Sequence, residues 1–281
     1  MKNAFILINA YSNHSGELHR VQRLKQELEA LGVKIEIVRN SPDVTSMTGD
    51  FCVFLDKDRY AARALEKRMR LFNRAEAIEI CDDKMLTHLA LEGVVPMPKT
   101  VPSLLCYTQT ALPSEELLSS VERLGYPIVI KESFGSLGRE VYLVKDRAEL
   151  EKLSLELRPK PHLYQEFIQE SAGRDLRVIV VGGKAIAAMK RISDHDFRSN
   201  AELGGRGEAY VLGDEERAIS EKIAQHLELD YCGIDLLWSK RGMLLCEVNS
   251  NAFFQKMEEV TSINIAKAYA EHIFREIYCQ R

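Results

Sequence analysis

A chain of 281 residues, 46% hydrophobic and 28% charged, is long enough for a core spread over two or three lobes and too apolar to stay disordered. A net charge of −4 with a pI near 6.0 removes the electrostatic footprint of a general nucleic-acid binder, leaving room only for a locally basic cleft. No apolar run approaches the roughly 18–20 residues of a membrane span, the opening MKNAFILINAYSNHSG lacks a signal-peptide core, and six cysteines without CxxC spacing fit a reduced cytoplasmic interior rather than a zinc or disulfide frame.

In chain order, Ala4–Ile8 reads as a short buried strand, followed by a polar loop carrying His14. A helix from about Leu18 to Leu31 places Leu24, Leu28 and Leu31 at helical spacing, and Gly32 ends it. Val33–Val38 and Phe51–Leu55 read as further strands, so strand and helix alternate as in a small parallel α/β lobe. Asp58–Arg70 reads as a charged helix and Ala77–Ile80 as a brief strand. Asp82 or Asp83 then caps a helix carrying Leu86, Leu89 and Ala90, which Gly93 ends. Pro96, Pro98 and Pro102 mark a boundary, and the first lobe is assigned to residues 1–93.

The second lobe, 94–165, opens with a helix near Ser114–Leu124 and the strand Pro127–Lys131. FGSLGRE follows, with glycines flanking Ser136 and Leu137, and then the strand Val141–Val144. Two readings stand for it: a plain hairpin turn, or a flap whose backbone amides close on phosphate oxygens. Lys131, ending an apolar strand, projects toward whatever such a flap covers. His162–Ile168 is another strand.

The third lobe, 166–281, holds a hairpin of Arg174–Val181 and Lys184–Arg191 turning at Gly182-Gly183. Alternation puts Asp175 and Arg177 on one face, with Lys190 and Arg191 at the hairpin's end. The polar stretch SDHDFRSNAELGGRGEAY reads either as a surface loop or as a clamp in which Arg198, Asn200 and Arg206 hold phosphate or carboxylate. A helix of about Glu215–Leu227 precedes a hairpin over Gly233–Asn251, and Ile263–Tyr278 is the closing helix.

With its turn near Arg241, that hairpin sets Asp235 opposite Glu247, and Asn249 two residues on along the same face. Facing carboxylates on an apolar sheet repel unless a cation lies between them, and three oxygen donors suit magnesium. An ordinary exposed hairpin with polar residues in solvent is the competing reading.

CDDKMLTHLAL, the strand ending at Lys131, YQEFIQESAGRDLRVIVVGGKAIAAMKR, DFRSNAELGG, GIDLL, EVNSN and TSINIAKAYAEHI, taken in order, resemble the ATP-grasp ligases of the RimK type. The resemblance spans roughly Ile80 to Ile273. It implies an ATP-grasp fold with a preceding α/β domain, and an ATP-dependent ligase that joins a carboxylate to an amino acid or amine. It further implies two magnesium ions, with manganese as an alternative, and a homo-oligomer acting on an amino-acid donor and a carboxylate acceptor, with neither nucleic acid nor membrane involved. Carried over by position, Lys131 contacts nucleotide phosphates, as does Lys84 unless it is only a solvated helix residue. Gln165, Glu166, Phe167 and Ile168 form the strand bordering adenine, and Asp175 lies by the ribose. Arg198, Ser199 and Asn200 stand beside the triphosphate, Asp235, Glu247 and Asn249 bind the metal, and Arg191 and Arg206 hold the carboxylate or its acyl phosphate. The chain departs from the pattern at Arg139-Glu140 in the flap and at Phe253-Phe254, which either add bulk at the acceptor end or anchor the last helix. A nucleotide-binding regulator and a phosphotransferase remain as alternative functions on the same fold.

Overall fold

The computed structural model describes residues 3–11, 14–108, 110–135, 138–199 and 205–279. Three sheets follow one another along the chain. The first is parallel, in the order β2-β1-β3-β4, from β1 (Ala4–Ile8), β2 (Ile35–Arg39), β3 (Phe51–Leu55) and β4 (Arg70–Phe72). Its crossovers include α1 (Ser15–Ala30), whose N-cap His14 accepts from the Gly16 amide, and α2 (Arg59–Glu66), capped by Asp58.

Two readings of this region are corrected. Ala77–Ile80 is not a strand but part of helix α3 (Ala75–Asp82), because Ala75, Ile78 and Cys81 recur every three residues and bury one helix face. The fourth strand is instead Arg70–Phe72, which overlaps the expected charged helix only at its last residue, Arg70: apolar Leu71 and Phe72 pair with β3 and are fully buried. Next comes α4 (Lys84–Leu91), with Asp83 accepting from the Met85 and Leu86 amides.

The second sheet is antiparallel, in the order β5-β8-β6-β7, from β5 (Thr100–Pro102), β6 (Ile128–Glu132), β7 (Val141–Val144) and β8 (His162–Glu166). Helices α5 (Glu115–Glu122) and α6 (Arg147–Leu157) cover it, burying Leu118, Val121, Leu150 and Leu157. Sequence reading assigns nothing to α6, although Asp146 caps it.

The third sheet is antiparallel, in the order β11-β10-β9-β12-β13. Its strands are β9 (Arg174–Val181), β10 (Lys184–Ile192), β11 (Arg206–Ala209), β12 (Tyr231–Ser239) and β13 (Gly242–Asn249). Strand β11 lies in the stretch read as loop or clamp, and it is mostly exposed at the sheet edge. Helix α7 (Asp214–His226) packs on one face, and α8 (Gln255–Thr261) and α9 (Ile265–Tyr278) follow β13.

One apolar cluster joins the first sheet to the third: Ile6, Phe51 and Leu24 pack with Ile179, Tyr231, Phe254 and Tyr269. Asn73 is the polar counterpart of that joint. Its Nδ2 donates to the Tyr231 and Ser250 carbonyls at 2.8 and 2.9 Å, and its Oδ1 accepts from the Asp230 and Tyr231 amides at 2.7 and 3.0 Å. Among the described residues, no helix is long and apolar enough to cross a membrane.

Candidate active site

A cleft of about 840 Å³ opens between the second and third sheets. Much of its wall comes from strands, and at Cys246-Glu247 a register shift opposite Asp235-Leu236 brings two consecutive residues to it. From β6 comes Lys131, from β8 Gln165 and Glu166, from β9 Asp175, from β10 Arg191, and from β12 and β13 Asp235, Cys246 and Glu247. Phe167 and Ile168 follow β8, and Lys84, Arg198 and Ser199 also line the cleft. Twelve of the fifteen sequence-derived candidates therefore converge on one cleft.

The flap reading centres on Ser136 and Leu137, which lie outside the described residues. Its edges are held by cations: Lys84 Nζ donates to the Gly135 carbonyl at 2.8 Å, and Arg198 Nη1 donates to the Gly138 and Val141 carbonyls at 2.5 and 3.3 Å. Arg198 is in turn oriented by Asp196, which it holds below the ordinary carboxylate range. Lys131 Nζ is buried, 3.6 Å from Cys246 Sγ. Phe167 meets Phe197 edge-on with centroids 6.2 Å apart, giving the cleft an apolar wall against which a planar base can lie. The Glu166 carboxylate turns to the Lys99 amide and to Arg241, and the Glu166 amide in turn donates to the Lys99 carbonyl.

The floor is a ladder of charge across four strands. The antiparallel register sets Arg191 opposite Asp175, and Asp235 opposite Arg177 on its other neighbour and Glu247 on its own partner strand. Arg177 grips Asp235 with both prongs at 2.6 Å, and Arg191 pairs with Asp175 while donating to Asp235 Oδ2 at 2.8 Å. Burial pushes the Asp235 carboxyl up, but the two guanidiniums outweigh it and hold the group below its usual range. The carboxylates likewise outweigh burial at both arginines and raise them. Asp235 and its two arginines are therefore ionised near neutral pH.

A second cavity, about 1300 Å³, lies where the first sheet meets the third, and it shares Arg191 and Glu247 with the cleft. Arg177, Asn249, Phe253 and Lys256 line it from the third lobe, and Asn9, Glu17, Arg20, Asp56 and Lys57 from the first. Phe253 and Phe254 separate in role. Phe254 is fully buried in the core against Tyr231, whereas Phe253 stacks on His14 at 4.8 Å beneath the Arg20 guanidinium and forms a cavity wall.

Three candidates fall elsewhere. Asn249 faces the second cavity, Asn200 lies outside the described residues, and Arg206 is half exposed on β11, paired with Asp194 at 2.7 Å and Glu208 at 3.4 Å and lining neither cavity. The edge position of β11 explains Arg206, since an edge strand turns alternate side chains to solvent. Arg177 is the residue that sequence reading leaves without a role. Its alternation with Asp175 was visible, but its partner Asp235 lies 58 positions further on.

The donor set suits a hard divalent cation. Asp235 and Glu247 are cross-strand neighbours carrying carboxylate oxygens; Asp235 is held by Arg177 and Arg191, and among the described residues Glu247 is paired with Lys84 at 3.7 Å. Asn249 carries a buried amide nitrogen with no partner among the described residues; a cation would be held through its oxygen, not through this N–H donor. Among the described residues, no group of three or more His, Cys, Asp or Glu could hold a metal ion.

The RimK-like ATP-grasp domain family matches residues 82–273, the segment that holds every cleft residue just named. Beta-citrylglutamate synthase B of Danio rerio is 34% identical over 252 residues, covering 86% of this chain and 61% of its own. N-acetylaspartylglutamate synthase A of Homo sapiens is 34% identical over 223 residues, covering 77% of this chain and 56% of its own. The chain thus spans little more than half the length of these relatives. Among solved structures, the ATP-grasp ligase PsnB complexed with a phosphomimetic variant of minimal precursor, Mg and ADP superposes with a TM-score of 0.68 at 15% identity, over 98% of this chain and 99% of that one. A match over most of the chain, together with a likeness of fold along its whole length, shows that this chain has the ATP-grasp fold and belongs to the RimK-like ATP-grasp family.

Proposed function

We propose that the chain is an ATP- and divalent-metal-dependent ligase that forms an amide between a carboxylate and an amino acid or amine. The observation that carries this reading is the meeting of two cavities at Arg191 and Glu247. One has the apolar wall and cations that suit a nucleotide, and the other is charged and lies beside its phosphate end. A carboxylate oxygen entering from the second cavity attacks the γ-phosphorus, the bond to the β-phosphate oxygen breaks, and ADP leaves. An amine then attacks the acyl carbon, phosphate departs with the carbon–oxygen electron pair, and the amine's proton is lost to water or phosphate.

In this scheme Lys84, Lys131 and Arg198 neutralise phosphate oxygens, so catalysis rests on positioning and electrostatics rather than on a protein nucleophile. Arg191 stands where the reacting carboxylate must cross from one cavity to the other. Asp235, Glu247 and Asn249 would hold two magnesium ions, or manganese, which supply charge neutralisation at the transferring phosphoryl group. Lobes of 1–93, 94–165 and 166–281 fit this division of labour: the last two grip the nucleotide, and the first shapes the second cavity. The relatives named for citrylglutamate and N-acetylaspartylglutamate synthesis make glutamate the first amino acid to try, with a metabolite, peptide or protein tail as acceptor.

The test is ADP and phosphate release by the purified protein with magnesium and a panel of acids paired with amino acids, products being read by mass spectrometry. A product heavier by one amino-acid residue, formed one-to-one with ADP, is expected. A phosphorylated acid that persists in the presence of amines would replace the ligase reading with a phosphotransferase.

A further inference from the structure

Arg20 comes from helix α1 of the first lobe and lines the second cavity, yet it is only 1% exposed. Its Nη1 donates to the Asn251 and Ala252 carbonyls at 2.7 and 3.3 Å, while Nε and Nη2 are buried with no partner among the described residues. At Arg191, also buried, Asp175 and Asp235 outweigh burial and raise the group; at Arg20 burial wins and pulls it below the ordinary arginine range. A buried cation bonded along one edge only, and to neutral carbonyls, is destabilising because no opposite charge offsets its desolvation. Its Nε and Nη2 form the same side-on fork with which Arg177 holds Asp235, so the unpaired edge has the shape that a carboxylate fits. Beside it, Asn251 carries a buried Oδ1 without a partner among the described residues, and its carbonyl is one of the two that Arg20 holds. A ring closes over both: Phe253 lies 5.1 Å from the guanidinium carbon and stacks on His14 at 4.8 Å.

A donor fork next to a neutral acceptor complements the carboxylate and the amine of an α-amino acid. The acceptor's neutrality matters, since an amide oxygen takes an N–H bond without favouring the charged ammonium as a carboxylate would, and only an uncharged amine can attack an acyl carbon. We propose that the Arg20 fork binds the carboxylate of the incoming amino acid, with the Asn251 amide oxygen accepting from its amine and the Phe253 ring turning aside to admit it. The proposal deepens the ligase reading, on which it rests: it assigns the amine-bearing reactant to the first lobe and makes that reactant an α-amino acid rather than a simple amine.

The experiment follows thermal melting of the full chain, with magnesium and a non-hydrolysable ATP analogue present, as each proteinogenic amino acid is added at millimolar concentration. At least one amino acid is expected to raise the melting temperature, and the amine left by removing its carboxylate is expected not to. Arg20→Met keeps the bulk and removes the charge. It is expected to melt no lower than the unmodified protein when no amino acid is added, and to lose the amino-acid shift. A merely structural arginine would do the reverse, its loss lowering the melting temperature by about 5 °C or more and leaving the shift in place. Arg20→Lys, which keeps the charge without the fork, is expected to retain part of the shift and decides the matter if the methionine variant does not fold. Phe253→Ala is expected to bind the amino acid several-fold more tightly, because no ring has to move. No shift with any amino acid, an equal shift with the amine, or an undiminished shift in either Arg20 variant overturns the assignment, and weaker binding in Phe253→Ala overturns the gate. If magnesium and the ATP analogue alone leave the melting temperature unmoved, the ligase reading itself fails; if they raise it and no amino acid adds to it, only this proposal falls.

Discussion

Glu247 stands where the two cavities meet, within 3.7 Å of Lys84 and opposite Asp235, so its charge matters more than its shape. Glu247→Gln keeps the shape and removes the charge. ADP formation is expected to fall about 100-fold or more, equivalent to roughly 2.7 kcal/mol, with the melting temperature nearly unchanged. Near-normal turnover in that variant would remove Glu247 from the metal site. The cysteines give an independent reading of burial. Burial pushes the Cys52 and Cys81 thiols up to about 12, so both stay protonated at neutral pH and the reactive thiolate is scarce. A thiol-labelling time course at pH 7.5, mapped by mass spectrometry, is expected to modify exposed Cys279 first and Cys52, Cys81 and Cys232 only after denaturation. Cys246, beside Lys131 in the cleft, should label slowly and more slowly still with ATP bound. Rapid native labelling of Cys52 would contradict the packing of the first sheet.

Among the elements, α4 links local stability to the site. Asp83 Oδ1 accepts from the Met85 and Leu86 amides at 2.8 and 3.2 Å, and the next residue, Lys84, reaches the flap edge. Asp83→Ala is expected to cost about 1 kcal/mol of stability in urea unfolding and to weaken ATP binding a few-fold, because the helix end that aims Lys84 frays. A stability loss with ATP affinity intact would show that Lys84 is aimed by tertiary packing alone. At this scale the sequence was legible where the period was clean. The sequence sets Asp235 opposite Glu247 in the β12–β13 hairpin, as the register has it, and α1, β3, β7, β9, α7 and α9 lie within a few residues of their expected places. The failures are short or mixed segments. Ala77–Ile80 has a run too brief to separate strand from helix, and β11 carries one apolar residue in four, so nothing in it announces a strand.

Over the whole molecule, Asn73 fastens the first lobe to the third sheet through four hydrogen bonds to main-chain groups. Asn73→Ala leaves buried amides and carbonyls without partners, which costs about 1–3 kcal/mol for each group not rescued by water. Calorimetry is expected to show a melting temperature lower by roughly 5–10 °C, given about 2–4 °C per kcal/mol in a chain of this size. Binding of an acid substrate in the second cavity should weaken more than nucleotide binding in the cleft, since only the second cavity spans that joint. Equal loss at both sites would mean that the joint supports the whole fold rather than the second cavity.

Alternation along strands, capping residues and the order of the motifs are properties of neighbouring residues, and these by themselves determined the sheet-forming segments, the family resemblance and the cluster of Lys131, Arg198, Asp235 and Glu247. Tertiary structure decided what depends on distant strands lying side by side. Arg177 acquires its meaning from Asp235, 58 residues away, and Asn73 from Tyr231, 158 residues away. Arg206 loses its expected place because β11 is an edge strand that turns it to solvent, and Phe253 and Phe254, adjacent in the chain, part into cavity wall and core. The reason is common to all four: a side chain's chemistry is local, whereas its partner is chosen by which strand lies across from it.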